Sequence, residues 1–358
     1  MKAVIFGLKG TALSAEERTF FERTQPLGFI LFRRNCENPD QIKALVHDLK
    51  STVMHDDVPI LIDQEGGRVV RLYPPYFKSN PPAHLFGDMY QSDPQTALDL
   101  VTENYALIAQ ELRELGITTN CAPCVDLPDE DSDPIIGDRA FSKDTDVTAA
   151  LSAAVINAHN QNGIIPVIKH LPGHGRANAD SHEKLPIIDA NQETLISSDF
   201  SAFKIALESA HTHPWGMTAH IIYSAIDPIY CATESSTIIQ QVIRNYIGFN
   251  GFLISDCISM KALSGSYTQR AERAIAAGCD AVLYCMCDLT TMIEIAAAVP
   301  ELEGEALRRC FKRPESFSEL TLESKDNWLK RDRIFQEQMT ELGATWHSRL
   351  STIGESTG

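Results

Sequence analysis

Residues 164–186 read IIPVIKHLPGHGRANADSHEKLP, a short apolar run followed by a polar loop. The run at residues 164–168 predicts a buried strand. Residues that disfavour a helix or a central strand come next: Pro172, Gly173 and Gly175. Among the titratable side chains of the same segment, five are candidates for a site: Lys169, His170, His174, Asp180 and His182. Catalytic groups usually lie on loops held by a rigid scaffold, so this segment predicts a functional site.

Seven further apolar runs resemble this strand, and amphipathic segments separate them. The eight predicted strands are residues 3–6, 28–32, 59–62, 117–121, 164–168, 215–219, 251–255 and 281–285. The predicted helices are residues 14–24, 39–54, 94–115, 146–161, 193–209, 235–246, 267–277 and 290–298. Apolar strands that alternate with helices indicate a parallel sheet covered on both faces. Eight such pairs predict an α/β fold, the (β/α)8 TIM-type barrel, with a doubly wound sheet as the alternative.

The positions of polar residues favour the barrel. They follow the ends of strands from many different repeats: Asp63, Asn120, Lys169, His170, His220 and Asp256. A barrel gathers these ends into one ring, whereas an open sheet would spread them along a line. We therefore predict a single-domain barrel over residues 1–300. Residues 301–358 are predicted to form a helical C-terminal flank that packs on the barrel or is partly disordered.

Composition limits the class of protein. The chain has 358 residues, 44% hydrophobic and 22% charged, which is typical of a soluble globular protein. Its net charge of −17 disfavours nucleic-acid binding. The apolar run at residues 4–8 is too short for a signal peptide, and no run approaches the length of a membrane span. We expect a cytoplasmic monomer or weak dimer without membrane or nucleic-acid partners.

The nine cysteines are expected to be reduced and mostly buried. Cys121 and Cys124 form a single C-x-x-C pair, and one such pair without a second is a weak zinc signal.

Six motifs occur in a fixed order along most of the chain. They are GFILFRRN (28–35), IDQEGGRVVRL (62–72), IGDRAF (136–141), KHLPGHGRANADSH (169–182), TAHIIYSAID (218–227) and GFNGFLISDCISMKAL (248–263). Together they resemble the single-domain bacterial β-N-acetylglucosaminidases of glycoside hydrolase family 3, the NagZ type. Any one motif alone would be weak, whereas the ordered set is specific.

The resemblance implies a retaining hydrolase that removes terminal β-linked N-acetylglucosamine. It implies as substrate a cell-wall turnover product, GlcNAc–1,6-anhydro-N-acetylmuramic acid with or without peptide, and neither metal nor organic cofactor. Asp256, after the predicted strand 251–255, takes the position of the family's nucleophile. The family usually has Ser-Asp-Asp-Leu where this chain has Ser255-Asp256-Cys257-Ile258. We interpret Cys257 as a small buried residue that leaves activity intact.

A glycosidase also needs a group that protonates the leaving oxygen and later deprotonates water. That group is usually a second carboxylic acid, and none stands out near the loop. His182 suits both roles because an unperturbed imidazole has a pKa of about 6.5. Asp180 can accept a hydrogen bond from one ring nitrogen, which fixes the tautomer and stabilises the imidazolium. The resemblance assigns the same acid/base dyad, and the glycine-rich loop is expected to swing when sugar binds.

Polar residues at the strand ends are the candidate sugar ligands. Asp63 can accept hydrogen bonds from hydroxyl groups. The resemblance places five residues in the donor subsite: Asp63, Arg71, Arg139, Lys169 and His170. Arg68 is predicted to form a structural ion pair, and His174 to support the fold of the loop.

Other interpretations of the same residues stay open. A metal-dependent hydrolase could use His170, His174 and His182, although their spacing lacks the regular geometry such sites need. A non-catalytic sugar-binding barrel would have no need for the full set of Asp256, His182 and Asp180. A two-domain β-glucosidase of the family would need a second domain for its acid. A β-N-acetylhexosaminidase of broader specificity, for aryl or chito-oligosaccharide substrates, is the remaining alternative.

Overall fold

The computed structural model describes residues 1–129, 133–312, 320–344 and 346. Within these residues there are ten strands: β1 (Lys2–Phe6), β2 (Pro26–Leu31), β3 (Ile60–Ile62), β4 (Thr119–Asn120), β5 (Ile165–Leu171), β6 (Ile187–Ile188), β7 (Trp215–Thr218), β8 (Ile222–Tyr223), β9 (Leu253–Cys257) and β10 (Ala281–Tyr284). Eight of them close a barrel in the order β1-β10-β9-β7-β5-β4-β3-β2, and every neighbouring pair is parallel. This confirms the single-domain (β/α)8 barrel.

Eleven α-helices occur in the described part of the chain. They are α1 (Ala15–Thr24), α2 (Pro39–Lys50), α3 (Ala83–Ser92), α4 (Pro94–Glu114), α5 (Thr145–Gln161), α6 (Gln192–Ser197), α7 (Asp199–Ser209), α8 (Tyr267–Ala277), α9 (Leu289–Ala298), α10 (Gly304–Cys310) and α11 (Lys325–Glu341). A π-helix spans Ile238–Tyr246, in the position of the barrel helix between β7 and β9. Short 3-10 helices span Arg33–Asn35, Gly137–Arg139 and Ala232–Glu234.

Local sequence explains where several helices begin. Ser14 and Glu17 form a capping box at the start of α1, so each side chain satisfies a backbone N–H of the first turn. Asp93 caps α4 and accepts from the backbone of Thr96 at 3.2 Å, with Pro94 at the first helical position.

Two apolar layers hold the barrel. Inward-facing strand residues such as Ile5, Leu61 and Ile254 fill its interior, and a larger cluster packs the outer strand faces against the helices. The strands are apolar on both faces because both faces are covered.

The structure differs from the predicted elements in four places. Strand β5 continues through Lys169, His170 and Leu171, which the sequence placed after the strand. Helix α3 lies in the predicted proline-rich loop. The single helix predicted at residues 193–209 is broken at Ser198 into α6 and α7. Strands β6 and β8 pair with each other outside the barrel and were not predicted.

Helix α11 packs on α4. Arg331 pairs with both carboxylate oxygens of Glu103 at 2.8 Å, and Trp328 Nε1 donates to the carbonyl of Leu107 at 3.1 Å. Phe335 and Met339 on α11 are buried in the same core as the barrel helices. Part of the predicted flank, residues 313–319, 345 and 347–358, lies outside the described residues.

All nine cysteines are free thiols, and seven of them are buried, as the composition predicted. Over the residues described, no helix has both the length and the apolar character that crossing a membrane requires.

Candidate active site

A cavity opens at the carboxyl ends of the barrel strands. Its wall contains seven of the eight predicted site residues: Asp63, Arg71, Arg139, Lys169, His170, His182 and Asp256. The eighth, Asp180, contacts His182. Apolar side chains complete the wall: Ile30, Phe32, Met217 and Leu283. This is the end of a (β/α)8 barrel where active sites are built.

A chain of alternating charges runs along one side of the cavity. Lys169 Nζ lies 2.7 Å from Asp63 Oδ1 and 2.7 Å from Glu65 Oε1. Arg71 Nη2 donates to Asp63 Oδ2 at 3.2 Å. Arg139 binds both oxygens of Glu65, each at 2.9 Å, in a bidentate pair. The order of charges is therefore Arg71, Asp63, Lys169, Glu65 and Arg139.

These ion pairs fix the charge states. Burial alone would raise the pKa of Asp63, but the charges of Lys169 and Arg71 outweigh it and lower the pKa. Burial would likewise raise the pKa of Glu65, which Arg139 and Lys169 hold well below its usual range. The network is thus ionised near neutral pH, and its cations and carboxylates can exchange hydrogen bonds with sugar hydroxyls.

Glu65 was missed as a candidate from the sequence, and it joins two predicted sugar ligands. Glu65→Gln leaves Lys169 and Arg139 without their shared counter-charge in a buried place. We expect a loss of about 3–5 kcal/mol in the free energy of unfolding and a raised KM. Denaturant unfolding and steady-state kinetics measure the two effects.

Asp138→Asn is the matched control for that substitution, because Asp138 pairs with Arg68 near the surface, with its side chain 36% exposed. Its expected cost is below about 1 kcal/mol. Equal costs for the two substitutions would contradict a special role of Glu65.

Arg68 itself donates to three backbone carbonyls, those of Pro134, Ile135 and Ile136, which agrees with its predicted structural role.

Asp126 was also missed, and it positions His170 and the start of the loop. Its Oδ2 accepts from His170 Nδ1 at 2.7 Å, and its Oδ1 accepts from the backbone N–H of His174 at 2.6 Å. His170 Nε2 is left as the ring nitrogen available to the cavity. Burial lowers the pKa of His174 to about 4, so this imidazole is neutral and supports the loop through Ser181 at 3.2 Å.

Asp256 is the residue before the last of β9, and its half-buried side chain lines the cavity. Its Oδ1 accepts from the backbone N–H of Cys257 at 2.7 Å. His220 Nε2 contacts the carbonyl of Cys257 at 3.0 Å and so supports this turn of chain. Burial alone would raise the pKa of Asp256, but the charges of His220, His170 and His182 outweigh it and lower the pKa. An ionised carboxylate is the form that can act as a nucleophile.

His182 and Asp180 form a close pair on the loop. Oδ1 of Asp180 accepts from the backbone N–H of His182 at 2.8 Å and contacts its Nδ1 at 2.7 Å. Burial lowers the pKa of His182, but the hydrogen bond to Asp180 and the charge of Asp256 raise it more, so the net pKa lies above the ordinary value. The pair has the geometry of an oriented acid/base group, with Nε2 free to face the cavity.

Three interactions anchor the first half of the loop. Arg176 pairs with Asp199 at 2.7 Å and with Asp129 at 2.6 Å. The hydroxyl of Tyr223 donates to the carbonyl of Gly173.

One trio of side chains in the described residues could hold a metal ion: Cys124, Asp126 and His170. It is not the trio of histidines that the metal-dependent alternative requires. Cys124 Sγ donates to Asp126 Oδ2 at 3.2 Å, the oxygen that also receives His170. The trio is therefore satisfied by its own hydrogen bonds.

Glu65 could have been found from its spacing in the sequence. It lies two residues after Asp63, which puts both side chains on one side of an extended chain. Asp126 has no such signal, because its partner His170 is 44 positions away in sequence. His220 was among the polar residues named at the strand ends, but its contact with the carbonyl of Cys257 was not predicted.

Comparison with known proteins agrees with this geometry. The family model described as glycosyl hydrolase family 3 N terminal domain matches residues 3–309. A beta-hexosaminidase of Nitrosomonas eutropha is 36% identical over 287 residues, 79% of this chain and 80% of that protein. A beta-hexosaminidase of Pasteurella multocida is 31% identical over 355 residues, 97% of this chain and 98% of that protein.

Solved structures give the same result. The crystal structure of native NagZ from Neisseria gonorrhoeae has a TM-score of 0.81 and 26% identity, and covers 95% of this chain and 96% of that one. NagZ of the same organism in complex with N-trifluoroacetyl-D-glucosamine has a TM-score of 0.74 and 26% identity, with coverage of 96% and 94%.

The barrel, with a cavity of paired carboxylates and cations at its strand ends, is that of a glycoside hydrolase, and the chain belongs to glycoside hydrolase family 3. Within that family it is of the NagZ type, a β-N-acetylhexosaminidase.

Proposed function

We propose that the enzyme removes terminal N-acetylglucosamine from GlcNAc–1,6-anhydro-N-acetylmuramic acid, with or without its peptide, during cell-wall recycling in the cytoplasm. The observation that carries this is the meeting of Asp256 and the His182–Asp180 pair at one cavity. The NagZ of Neisseria gonorrhoeae, which binds N-trifluoroacetyl-D-glucosamine, supports the sugar assignment.

In the first step Asp256 attacks the anomeric carbon and forms a glycosyl–enzyme ester. His182, protonated, gives its proton to the leaving oxygen, and Asp180 keeps the imidazole in the required tautomer. In the second step neutral His182 takes a proton from water, which attacks the ester and releases the sugar. Asp63, Arg71, Arg139, Lys169 and His170 hold the donor sugar by hydrogen bonds. Two displacements at one carbon retain the configuration.

Substrate comparison tests the proposal. We expect turnover of an aryl β-N-acetylglucosaminide to exceed that of the matching glucoside, and the natural disaccharide to be cleaved. Proton NMR early in the reaction should show the β-anomer of the released sugar as the first product. An α-anomer as first product would rule out Asp256 as a nucleophile. Faster cleavage of chito-oligosaccharides than of the anhydro-disaccharide would favour the broader hexosaminidase instead.

The pKa shifts predict the pH profile of kcat/KM for the first step. The lowered pKa of Asp256 places the acid limb below the ordinary aspartate pKa of about 3.9. The raised pKa of His182 places the alkaline limb above the ordinary histidine value of about 6.5. Asp180→Asn removes the main group that raises the pKa of His182, so the alkaline limb should move to lower pH. An unmoved limb would show that another group sets it.

A further inference from the structure

Lys78 is a buried cation that the reaction described above does not use. Its side chain is only 4% exposed. It lies in the segment that connects Arg71, a proposed sugar ligand, to the start of α3. A buried ammonium group is costly unless it is paired and hydrogen-bonded, so the partners of Lys78 determine whether this segment keeps its place.

Two helices supply those partners. On α11, Asp332 Oδ1 lies 3.5 Å from Lys78 Nζ, and the centre of the Phe335 ring lies 4.9 Å from the same nitrogen. On α4, Asn104 Oδ1 accepts from Lys78 Nζ at 3.4 Å, and Glu111 Oε1 accepts from the backbone N–H of Lys78 at 3.4 Å. The side chain therefore joins the C-terminal helix to the barrel.

The segment that continues from Lys78 packs on the turn that follows Glu65. The carbonyl of Asn80 accepts from the backbone N–H of Gly67 at 2.9 Å. A Cβ on Gly67 would lie only 2.6 Å from the side chain of Pro82, so the segment and the turn are in close contact. A displacement of the segment would therefore move the turn and, with it, the carboxylate of Glu65.

Glu65 connects this turn to the proposed sugar ligands. Its carboxylate pairs with Lys169 and with Arg139. Tyr105, the residue after Asn104 on α4, donates its hydroxyl to the carbonyl of Glu65 at 2.7 Å. One helix therefore holds both the segment and the turn, and α11 contacts the segment from its other side chain partners.

We propose that Lys78 and Asp332 are positioning residues for the donor subsite, because their ion pair lets α11 hold residues 78–82 against the turn that follows Glu65. The C-terminal helix then contributes to sugar binding, although the described residues that line the cavity include none from α11. This inference rests on the proposed function, since the sugar must bind in that subsite.

Asp332→Leu tests the proposal, because it leaves Lys78 as a buried cation without its ion-pair partner. In the double variant Lys78→Met/Asp332→Leu, apolar side chains replace both charges, and no unpaired charge remains. Arg331→Leu is the matched control on the same helix. It removes the ion pairs with Glu103 and Glu323 and leaves the pair of Lys78 and Asp332 in place.

The full-length enzymes are compared at a temperature below the unfolding transition of every variant. The measurements are steady-state kinetics on an aryl β-N-acetylglucosaminide and calorimetric binding of N-acetylglucosamine. Asp332→Leu should raise KM and Kd at least about threefold, with kcat within about twofold of wild type, because the lost contacts bind substrate and transition state alike. The double variant should return close to the wild-type KM. Arg331→Leu should lose thermal stability and keep the wild-type KM.

Hydrogen exchange gives a measurement that needs no sugar. The amide of Gly67 should exchange faster in Asp332→Leu than in wild type or Arg331→Leu, because its hydrogen bond to Asn80 opens more often. Asp332→Asn keeps the shape of the side chain and serves for the same comparisons if Asp332→Leu does not fold.

An unchanged KM in a folded Asp332 variant would overturn the proposal. So would an equal rise of KM in Arg331→Leu, or unchanged exchange at Gly67. A raised KM that persists in the double variant would overturn it as well, since the unpaired charge would then not be the cause. A failure of the proposed function is measured separately, in wild type alone, as no preference for N-acetylglucosaminides or no cleavage of the natural disaccharide.

Discussion

Asp256→Ala is expected to lower kcat by about a thousandfold or more, because no covalent intermediate can form without the carboxylate. Asp256→Asn should lose as much, since its amide keeps the shape of the side chain but is a poor nucleophile. The amide oxygen can still accept from the backbone of Cys257, which holds this side chain at 2.7 Å in the wild type. The fold and the binding of N-acetylglucosamine should therefore persist in the asparagine variant.

The measurements are steady-state turnover, calorimetric binding of the sugar and thermal unfolding. Asp189→Asn is a suitable control, because Asp189 is an exposed carboxylate outside the cavity that accepts a hydrogen bond from Ser224. That control should keep near wild-type turnover. A tenth of wild-type kcat in either Asp256 variant would mean that another group is the nucleophile.

His182→Ala is expected to have an effect that depends on the leaving group. A positioned general acid contributes roughly 10²–10⁴-fold, and its help matters most when the leaving oxygen is a poor leaving group. The loss in the first step should approach this range on the natural disaccharide and be much smaller on a nitrophenyl glycoside. Asp180→Ala should follow the same pattern more mildly, since Asp180 orients and stabilises the imidazole without moving the proton.

Pre-steady-state glycosylation rates on both substrates, for wild type and both variants, measure this difference. Azide or formate should speed turnover of His182→Ala by attacking the glycosyl intermediate, because a small anion can enter the space that the imidazole leaves. Equal losses of glycosylation rate on substrates with good and poor leaving groups would mean that His182 has a structural role and is not the acid.

The barrel could be predicted from the sequence because its signal is local. Each strand is a short apolar run between turn residues, and each run lies within a few residues of the observed strand. Strand β5 was drawn too short because Lys169 and His170 are polar. Their side chains are compensated by Asp63, Glu65 and Asp126, so they can lie in a buried strand.

The supporting residues of the site were harder to find. Asp126 meets His170 across 44 positions of sequence, and Glu65 meets Arg139 across 74. Such pairs form only when the barrel closes, and no periodicity or spacing in one sequence specifies them. Helix α3 was not predicted, because the proline residues before it suggested a loop through the whole segment. The last of them, Pro82, is the N-cap of this helix.

The loop that carries His182 has one tethered half and one lightly held half. Asp126, Arg176 and Tyr223 fasten it as far as Ala177. Beyond that point Ser181 makes two hydrogen bonds. Its hydroxyl contacts His174 in the tethered half of the loop at 3.2 Å, and its carbonyl accepts from the backbone N–H of Ala262 at 3.2 Å.

Releasing both bonds costs on the order of 1–3 kcal/mol, since a typical hydrogen bond contributes about 0.5–1.5 kcal/mol. His182, the proposed acid/base group, therefore lies on the lightly held half of the loop, whereas Asp256, the proposed nucleophile, lies on barrel strand β9. Opening this half of the loop costs at least that much, because it also exposes Ala179 and Ser181, which are buried. The open form, populated in a fraction of molecules, would hold His182 away from the substrate. Substitutions at Ser181 would then change the rate of proton transfer by His182 without an equal change in the affinity for sugar.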